Sequence, residues 1–196
     1  MRMFGRPRGF LGRLGGIIMA RTNEECGSWV IKLLDIGPSE SVLEVGFGPG
    51  VIIQRLSNLA GHVAGIDPSH EMLQQARVRN AEAIGSGRVD LRHGSVETLP
   101  FDNNTFDKAI AINSMQVWPN AGAGLREIWR VMKSDGRIAL GFTPYSGHRS
   151  EGLTDTVIAA GFTDAHILKK HKDFCALAIR PRHSSAQMHS GDPVSA

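Results

Sequence analysis

Short apolar runs alternate with longer amphipathic segments from Ser41 onward, and this alternation is the strongest constraint on the fold. The apolar runs, which have the length of buried strands, lie at residues 41–45, 62–67, 88–94, 106–114 and 136–142. Apolar residues at spacings of three and four predict helices over 51–60, 69–84 and 124–133. A repeated strand, helix, strand order predicts right-handed parallel units, and therefore a sheet covered by helices on both faces.

The segments on either side of this region complete the predicted α/β domain. A helix is expected over Asn23–Asp35, ahead of the first strand. After the fifth strand, "EGLTDTVIAAGF" predicts a short helix ended by Gly161. The runs "TDAHILKKH" and "DFCALAIR" flank a turn near Lys172-Asp173, so the terminal strand is expected to be antiparallel to its neighbour.

Composition limits the classes of protein that this chain can represent. With 196 residues, one compact domain is expected. Five arginines precede the first acidic residue, Glu24, but a solvated basic arm is the simpler interpretation and no nucleic-acid partner is expected. Cys26 and Cys175 lie far apart and form no C-x-x-C pair, which favours a reduced, cytoplasmic setting without a metal site. No apolar run is long enough to predict a membrane span, and residues 182–196 are predicted to be a disordered tail.

Three glycines follow the first predicted strand in the stretch "SVLEVGFGPG", at Gly46, Gly48 and Gly50. In an open parallel sheet, ligands bind at the carboxyl ends of the strands, where the strand order reverses. Glycine allows the backbone to bend sharply and to come close to a ligand. The dinucleotide fingerprint needs a third glycine at position 51, which is Val51, and no Gly-Lys-Ser/Thr ending of a P-loop is present.

Two acidic residues indicate which ligand the glycine loop holds. Glu44 lies two residues ahead of the first glycine, where a buried carboxylate would repel a pyrophosphate but would favour a cation. Asp67 ends the second predicted strand, 21 positions after Gly46, where an acid commonly binds the hydroxyls of a ribose. Together these acids predict a nucleoside with a positively charged attachment.

This combination resembles the class I, Rossmann-like S-adenosylmethionine-dependent methyltransferases, in particular their compact small-molecule branch. The resemblance covers roughly Ser41 to Phe142 and rests on four segments in order: "VLEVGFGPG", "GIDPSHEML", "GSVETLPFDNNTFD" and "LREIWRVMKSDGRIAL". It implies a three-layer αβα sandwich with a seven-stranded, mostly parallel sheet whose last strand is antiparallel. It also implies S-adenosylmethionine as the cofactor, a small-molecule methyl acceptor and a possible homodimer.

The resemblance implies a role for each matching residue. Glu44 would lie near the methionine amino group of the cofactor, and Asp67 would bind its ribose hydroxyls. The methionine and sulfur region would contact Gly46, Phe47, Gly48 and Gly50.

The adenine would pack near Pro68 and Met72, although a place in the helix core is the simpler interpretation of Met72. Relatives usually carry an acid at the position of Ser95, which contacts the adenine amino group. Serine accepts a weaker hydrogen bond, so Val96 is expected to assist there.

Methyl transfer from a sulfonium is an in-line displacement, for which orientation and exclusion of water are the main requirements. Asn113 and Ser114 would face the sulfonium and the acceptor. If the acceptor must lose a proton, Tyr145 and His148, on the loop after the fifth strand, are the candidates.

The domain is expected to cover residues 39–181, with residues 1–38 forming a basic arm and a helix that roofs the active site. Within the roof, Met19, Arg21 and Asn23 are the residues expected to reach the cofactor or acceptor. Two alternatives stay open: a non-catalytic S-adenosylmethionine-binding module, and an NAD-linked oxidoreductase.

Overall fold

Seven strands form one sheet in a computed structural model that describes residues 24–182. The strands are β1 (Ser41–Val45), β2 (His62–Asp67), β3 (Val89–His93), β4 (Phe106–Ile112), β5 (Met132–Phe142), β6 (Thr163–Lys170) and β7 (Asp173–Ile179). Their order across the sheet is β3-β2-β1-β4-β5-β7-β6. The strands β1 to β5 pair in parallel, whereas β7 is antiparallel to both of its neighbours. The predicted seven-stranded, mostly parallel sheet with an antiparallel last strand is therefore confirmed.

Helices cover both faces of the sheet and complete the three-layer αβα sandwich. The helices are α1 (24–34), α2 (Val51–Leu56), α3 (His70–Arg79), α4 (Ala81–Gly85), α5 (Ala121–Val131) and α6 (Leu153–Ala159). Short 3₁₀ helices follow β4 and β5, at Met115–Val117 and Pro144–Ser146. One core cluster joins the sheet to α5 and α6, and the other joins it to α1, α2 and α3. The apolar faces of the helices and the alternate residues of the strands thus bury each other.

The predicted helix over 69–84 is two helices, because the backbone turns at Asn80. Asn80 has φ −109° and ψ 21°, and its buried amide Nδ2 donates to the carbonyl oxygens of Gly50 (3.1 Å) and Ala76 (2.9 Å). Its side chain therefore caps the last turn of α3 and binds the loop that follows β1. Periodicity alone could not show this break, because the apolar spacing continues across it.

The strand β5 begins at Met132, four residues earlier than predicted, and α5 passes into it directly. Met132 pairs with Phe106 and Arg137 pairs with Lys108, so residues 133–136, where the predicted helix meets the predicted strand, form a bulge within β5. Asp135 has φ 62°, the left-handed conformation that turn residues such as Asp tolerate. The strand therefore extends back through this segment to the end of α5.

The helix α1 packs on the sheet: Val30 and Leu34 are fully buried in the core cluster that contains α2 and α3. The remainder of the expected basic arm and roof, including Met19, Arg21 and Asn23, lies outside the described residues. The same is true of the expected tail from residue 183 onward. No helix within residues 24–182 is long and apolar enough to cross a membrane.

The loop after β1 is held tightly against α3 at Gly50. This glycine has φ +80°, and a Cβ built on it would lie 2.7 Å from Ala76 Cβ and 2.7 Å from Asn80 Nδ2. Neither the conformation nor the space suits any residue with a side chain. The helix α3 therefore fixes the position of the glycine loop.

We predict that Gly50→Ala destabilises the protein more than Gly87→Ala does. Both glycines have positive φ, but a Cβ on Gly87 would meet nothing within 4 Å. Gly87→Ala should cost about 1–2 kcal/mol for the left-handed conformation alone. Gly50→Ala should cost roughly a further 1–3 kcal/mol for overpacking against α3. Urea denaturation of both variants measures the difference, and equal losses would contradict the packing of the loop on α3.

Candidate functional site

Polar residues gather where β1, β2 and β4 end, at the point where the strand order reverses. From β1 the chain continues outward to β2 and β3 on one side, and β4 and β5 lie on the other side. The carboxyl ends of these parallel strands bring Glu44, the glycine loop, Asp67 and Asn113 to one edge of the sheet. This reversal is the usual ligand position in an open parallel sheet.

Glu44 is a buried carboxylic acid without a complete set of partners. Its side chain is 2% exposed, and no donor within residues 24–182 reaches its Oε2. Burial raises the pKa of Glu44 well above its usual range, the nearby charge of Asp67 raises it further, and a hydrogen bond from the Ile53 backbone acts in the opposite direction. The unpartnered oxygen is therefore suited to a cationic hydrogen-bond donor.

Asp67 is buried but well satisfied by backbone groups. Its Oδ1 accepts from the N–H of Ser69 (2.8 Å), and its Oδ2 accepts from the N–H of Gly48 (2.9 Å). Burial raises the pKa of Asp67, while these two N–H groups and the charge of His93 act to lower it. Each carboxylate oxygen keeps a further acceptor position, so Asp67 can hold the glycine loop and still bind ligand hydroxyls.

Glycine is present at positions 46, 48 and 50 for different structural reasons. A Cβ on Gly46 would lie 2.4 Å from Ser114 Cβ, so Gly46 is required by the contact with the end of β4. Gly50 is required by its contact with α3, as described above. A Cβ on Gly48 would meet no atom of residues 24–182 within 4 Å, although its φ is +53°. Gly48 is buried, but there is space in the direction of its missing side chain, which is the property that close approach of a ligand requires.

Phe47 lies among these glycines, but its ring belongs to the core. It is 3% exposed, and a Cβ on Gly65 would lie 2.7 Å from its Cδ1. The packing of this ring anchors the loop between Gly46 and Gly48. Only the backbone of Phe47 is left for the predicted contact with the methionine end of a cofactor.

The side chains of Asn113 and Ser114 join neighbouring strand ends. Asn113 Nδ2 donates to Thr143 Oγ1 (2.8 Å), and the N–H of Thr143 donates to Asn113 Oδ1 (2.8 Å). The hydroxyl of Ser114 donates to the carbonyl oxygen of Val45 (2.7 Å). Asn113 thus links β4 to β5, and Ser114 links β4 to β1. The contact of Ser114 with Gly46 extends this link to the glycine loop.

The four residues predicted near an adenine lie along β2, α3 and the segment after β3. Met72 is buried, and its N–H donates to Ser69 Oγ (3.3 Å) at the start of α3, whereas Pro68 is exposed. The side chain of Ser95 accepts from the N–H of Glu97 (3.3 Å) and so stabilises a local turn.

Val96 is buried against α5, where a Cβ on Gly124 would lie 2.9 Å from its Cγ1. Its side chain therefore fills the core between the sheet and α5. Of these four residues, Pro68 and Ser95 are the ones that keep accessible surface.

The two candidate proton acceptors differ in their surroundings. Tyr145, on the 3₁₀ helix after β5, is 72% exposed. The ring of His148 stacks on Phe142 with 4.5 Å between centroids, and the backbone N–H of His148 donates to Ser146 Oγ (3.1 Å). Burial lowers the pKa of His148, so its imidazole is neutral at pH 7 and can accept a proton.

Three residues at this edge of the sheet were not predicted from the sequence as site residues. His93 ends β3 beside Asp67 in the strand register, and its ring stacks on that of His70 at 3.6 Å. Thr143 follows β5, and Gln116 lies in the 3₁₀ helix after β4. All three lie at or just after the carboxyl end of a strand, and this position could have identified them from the sequence. No group of His, Cys, Asp and Glu side chains within the described part of the chain is arranged to hold a metal ion.

A family model and several relatives identify this chain as similar to methyltransferases. Residues 43–140 match a family model described as "Methyltransferase domain". "Uncharacterized methyltransferase YdaC" of Bacillus subtilis is 33% identical over 182 residues, which cover 86% of this chain and 98% of that protein. "Demethylmenaquinone methyltransferase" of Corynebacterium kroppenstedtii is 38% identical over 109 residues. That match covers 56% of this chain and 44% of the relative, so this chain spans less than half of that enzyme's length.

A solved structure shares the fold at low sequence identity. A SAM-dependent methyltransferase from Aquifex aeolicus superposes with a TM-score of 0.71 and 20% identity, covering 79% of this chain and 89% of that one. At this identity the likeness supports the architecture alone.

We predict that Glu44→Gln stabilises the ligand-free protein increasingly as the pH rises. The folded-state pKa of Glu44 is raised, so the stability that protonated Glu44 contributes is complete below its unfolded pKa and is lost as the pH rises through the folded value. Glutamine stays neutral at every pH, so the variant does not undergo this loss of stability. Urea midpoints measured between about pH 5 and pH 8 should therefore separate in favour of the variant toward pH 8.

Glu82→Gln, the same replacement at an exposed position of α4, is the matched control for the change of side chain. A Glu44→Gln difference that stays constant or shrinks with rising pH would show that the Glu44 carboxyl is not desolvated.

Proposed function

This chain belongs to the class I S-adenosylmethionine-dependent methyltransferases, and we propose that it transfers the methyl group to a small-molecule acceptor. One observation carries the proposal: only residues 143–152 connect β5 to α6, and Tyr145 and Val117 remain 72% and 55% exposed beside the strand ends. An open edge with apolar side chains suits a small apolar acceptor. The relative named as a demethylmenaquinone methyltransferase supports the same class.

The residues at the edge of the sheet fit S-adenosylmethionine. The unpartnered Oε2 of Glu44 suits the ammonium group, the space beside Gly48 suits close contact with the methionine end, and Asp67 keeps acceptor positions for the ribose hydroxyls. In this assignment Gly46, Gly50 and the ring of Phe47 determine the shape of the loop, and only backbone atoms of these residues would contact the ligand.

The remaining predicted contacts complete the assignment. Pro68, Met72, Ser95 and Val96 lie along the adenine side. Asn113 and Ser114 would border the sulfonium, with their side chains already held by Thr143 and Val45. The predicted N-terminal roof, to which Met19, Arg21 and Asn23 belong, would close the cofactor from above.

Positioning is the main contribution that the chain would make to catalysis. When bound, the cofactor supplies an electrophilic methyl group on a sulfonium. The glycine loop is fixed by β4 on one side and α3 on the other, so the loop needs little rearrangement to hold the reactants in line. Neutral His148 would take the acceptor's proton on a ring nitrogen where the acceptor carries one, with exposed Tyr145 as the second candidate.

A non-catalytic S-adenosylmethionine-binding module is the alternative to an enzyme. Such a module would share the glycine loop, Glu44 and Asp67, so binding of the cofactor does not separate the two. Release of S-adenosylhomocysteine separates them, because only transfer produces it. The NAD-linked alternative lacks its glycine at position 51, and the family match does not support it.

We predict that Asp67→Ala weakens S-adenosylmethionine binding by roughly tenfold to a hundredfold, because hydrogen bonds to a charged acceptor are lost. Asp67→Asn, which keeps one acceptor oxygen, should lose less. Isothermal titration calorimetry measures both. Asp90→Ala, on neighbouring β3 with Arg92 as its partner, is the control and should bind normally. An unchanged affinity in Asp67→Ala would remove Asp67 from the cofactor site.

We also predict that the full chain releases S-adenosylhomocysteine when it is given small hydroxylated aromatic compounds, and not when it is given unstructured peptides. Mass spectrometry of the acceptor should show a gain of one methyl group. The Asp67→Ala variant should lose turnover in the same assay at a cofactor concentration that saturates the wild type. Tight cofactor binding without turnover over the whole panel would favour the non-catalytic module.

A further inference from the structure

The 3₁₀ helix Met115–Val117 begins beside the glycine loop. Ser114, the residue before it, contacts Gly46 and donates its hydroxyl to the carbonyl oxygen of Val45. Gln116 is therefore two residues from the point at which β4 meets the loop that would hold the methionine end of the cofactor. A side chain here borders the position at which the methyl group and its acceptor meet.

The amide of Gln116 is oriented but only half satisfied. Its Nε2 donates to the carbonyl oxygen of Asn113 at 2.7 Å, which fixes the direction of the amide plane. Its Oε1 is buried, and within residues 24–182 no donor reaches it. Buried polar atoms without a partner are rare and costly, because the acceptor has lost its water without gaining a replacement. This oxygen is suited to a hydrogen bond from a ligand.

Gln116 is also part of a rigid set of hydrogen bonds, here called the β4–β5 network: Asn113, Gln116, Thr143, Ser146 and His148. Asn113 exchanges two hydrogen bonds with Thr143, and the hydroxyl of Ser146 donates to the carbonyl oxygen of Thr143 (2.8 Å). The backbone N–H of His148 donates to that hydroxyl. The network thus runs from Gln116 to the backbone of His148, the residue whose ring is the candidate proton acceptor.

The network determines what kind of donor Gln116 can recognise. Its polar side chains are amides and hydroxyls, so it presents no carboxylate that would favour an ammonium group. Next to Gln116 in the chain, the apolar Val117 is exposed and Trp118 is half-buried. A neutral hydroxyl on a flat apolar body matches both features.

We propose that Gln116 Oε1 accepts a hydrogen bond from a hydroxyl of the methyl acceptor, which makes Gln116 a specificity-determining residue for phenol-type acceptors. The inference rests on the proposed function, because it assumes that a small acceptor enters at this edge. A compound without the hydroxyl would bind more weakly, because it would leave the buried Oε1 of Gln116 without a hydrogen-bond donor. Its role is recognition of the acceptor and not binding of the cofactor.

The test compares two probes that differ in one hydrogen-bond donor, 1-naphthol and 1-methoxynaphthalene. Each is titrated by calorimetry into the full chain saturated with S-adenosylhomocysteine, so no transfer takes place. The wild type should bind 1-naphthol about tenfold more tightly. Gln116→Met, which has a similar length and no acceptor oxygen, should reduce this preference to less than about twofold.

Two controls separate recognition from a structural role. Gln74→Met is the same replacement on the exposed surface of α3 and should keep the full preference. All variants should bind S-adenosylhomocysteine equally, since Gln116 is not assigned to the cofactor. Gln116→Ala serves as the second variant if Gln116→Met does not fold.

The inference is overturned if the wild type binds both probes equally, if it does not bind 1-naphthol, or if the Gln116 variants keep the preference. Failure of the proposed function is a different result: it would appear as absent methyl transfer over the whole acceptor panel. The probe preference does not depend on turnover and can be present or absent in either case.

Discussion

Burial of two carboxyl groups at one edge of the sheet is the constraint on which the site depends. Asp67 accepts from two backbone N–H groups, but Glu44 keeps an oxygen that no donor within residues 24–182 reaches, and the charge of Asp67 raises the electrostatic cost of ionising Glu44. A fold selected only for stability would replace Glu44 by an uncharged residue. Its presence two residues before the glycine loop would be explained by a cationic ligand, as in the proposed function.

The fold was largely predictable because its signals are periodic. The short apolar runs of the strands and the spacing of three and four in the helices recur in turn along the chain, and together they predicted the element types and the parallel sheet. The two departures, at Asn80 and at residues 133–136, arise from single contacts. Asn80 caps α3 through its amide, and the bulge lets β5 extend back to pair Met132 with Phe106. Neither contact has a repeating signal that a sequence pattern could reveal.

The candidate site was predictable only in part, for the same reason. Glu44 and Asp67 follow from their place at strand ends, but the separate tasks of the glycines require knowledge of their neighbours. Gly46 accommodates Ser114 and Gly50 accommodates α3, and neither partner is close in sequence. Gln116 was missed because an isolated glutamine after a strand has no distinctive spacing. Its importance depends on whether its oxygen is buried and paired, which is a property of the folded chain.

In the proposed assignment, the architecture separates cofactor binding from acceptor choice. The glycine loop is held on two sides by core contacts, through Ser114 at the end of β4 and through Ala76 and Asn80 on α3, so any change there disturbs packing. The β4–β5 network lies outside these contacts, on two 3₁₀ helices and the loop that follows β5. Substitution of Gln116 or Tyr145 removes no core side chain, so the acceptor edge can vary while the cofactor edge stays constant. Proteins with the same sheet and glycine loop can therefore methylate different acceptors, and the acceptor of this chain has to be inferred from its own strand-end residues.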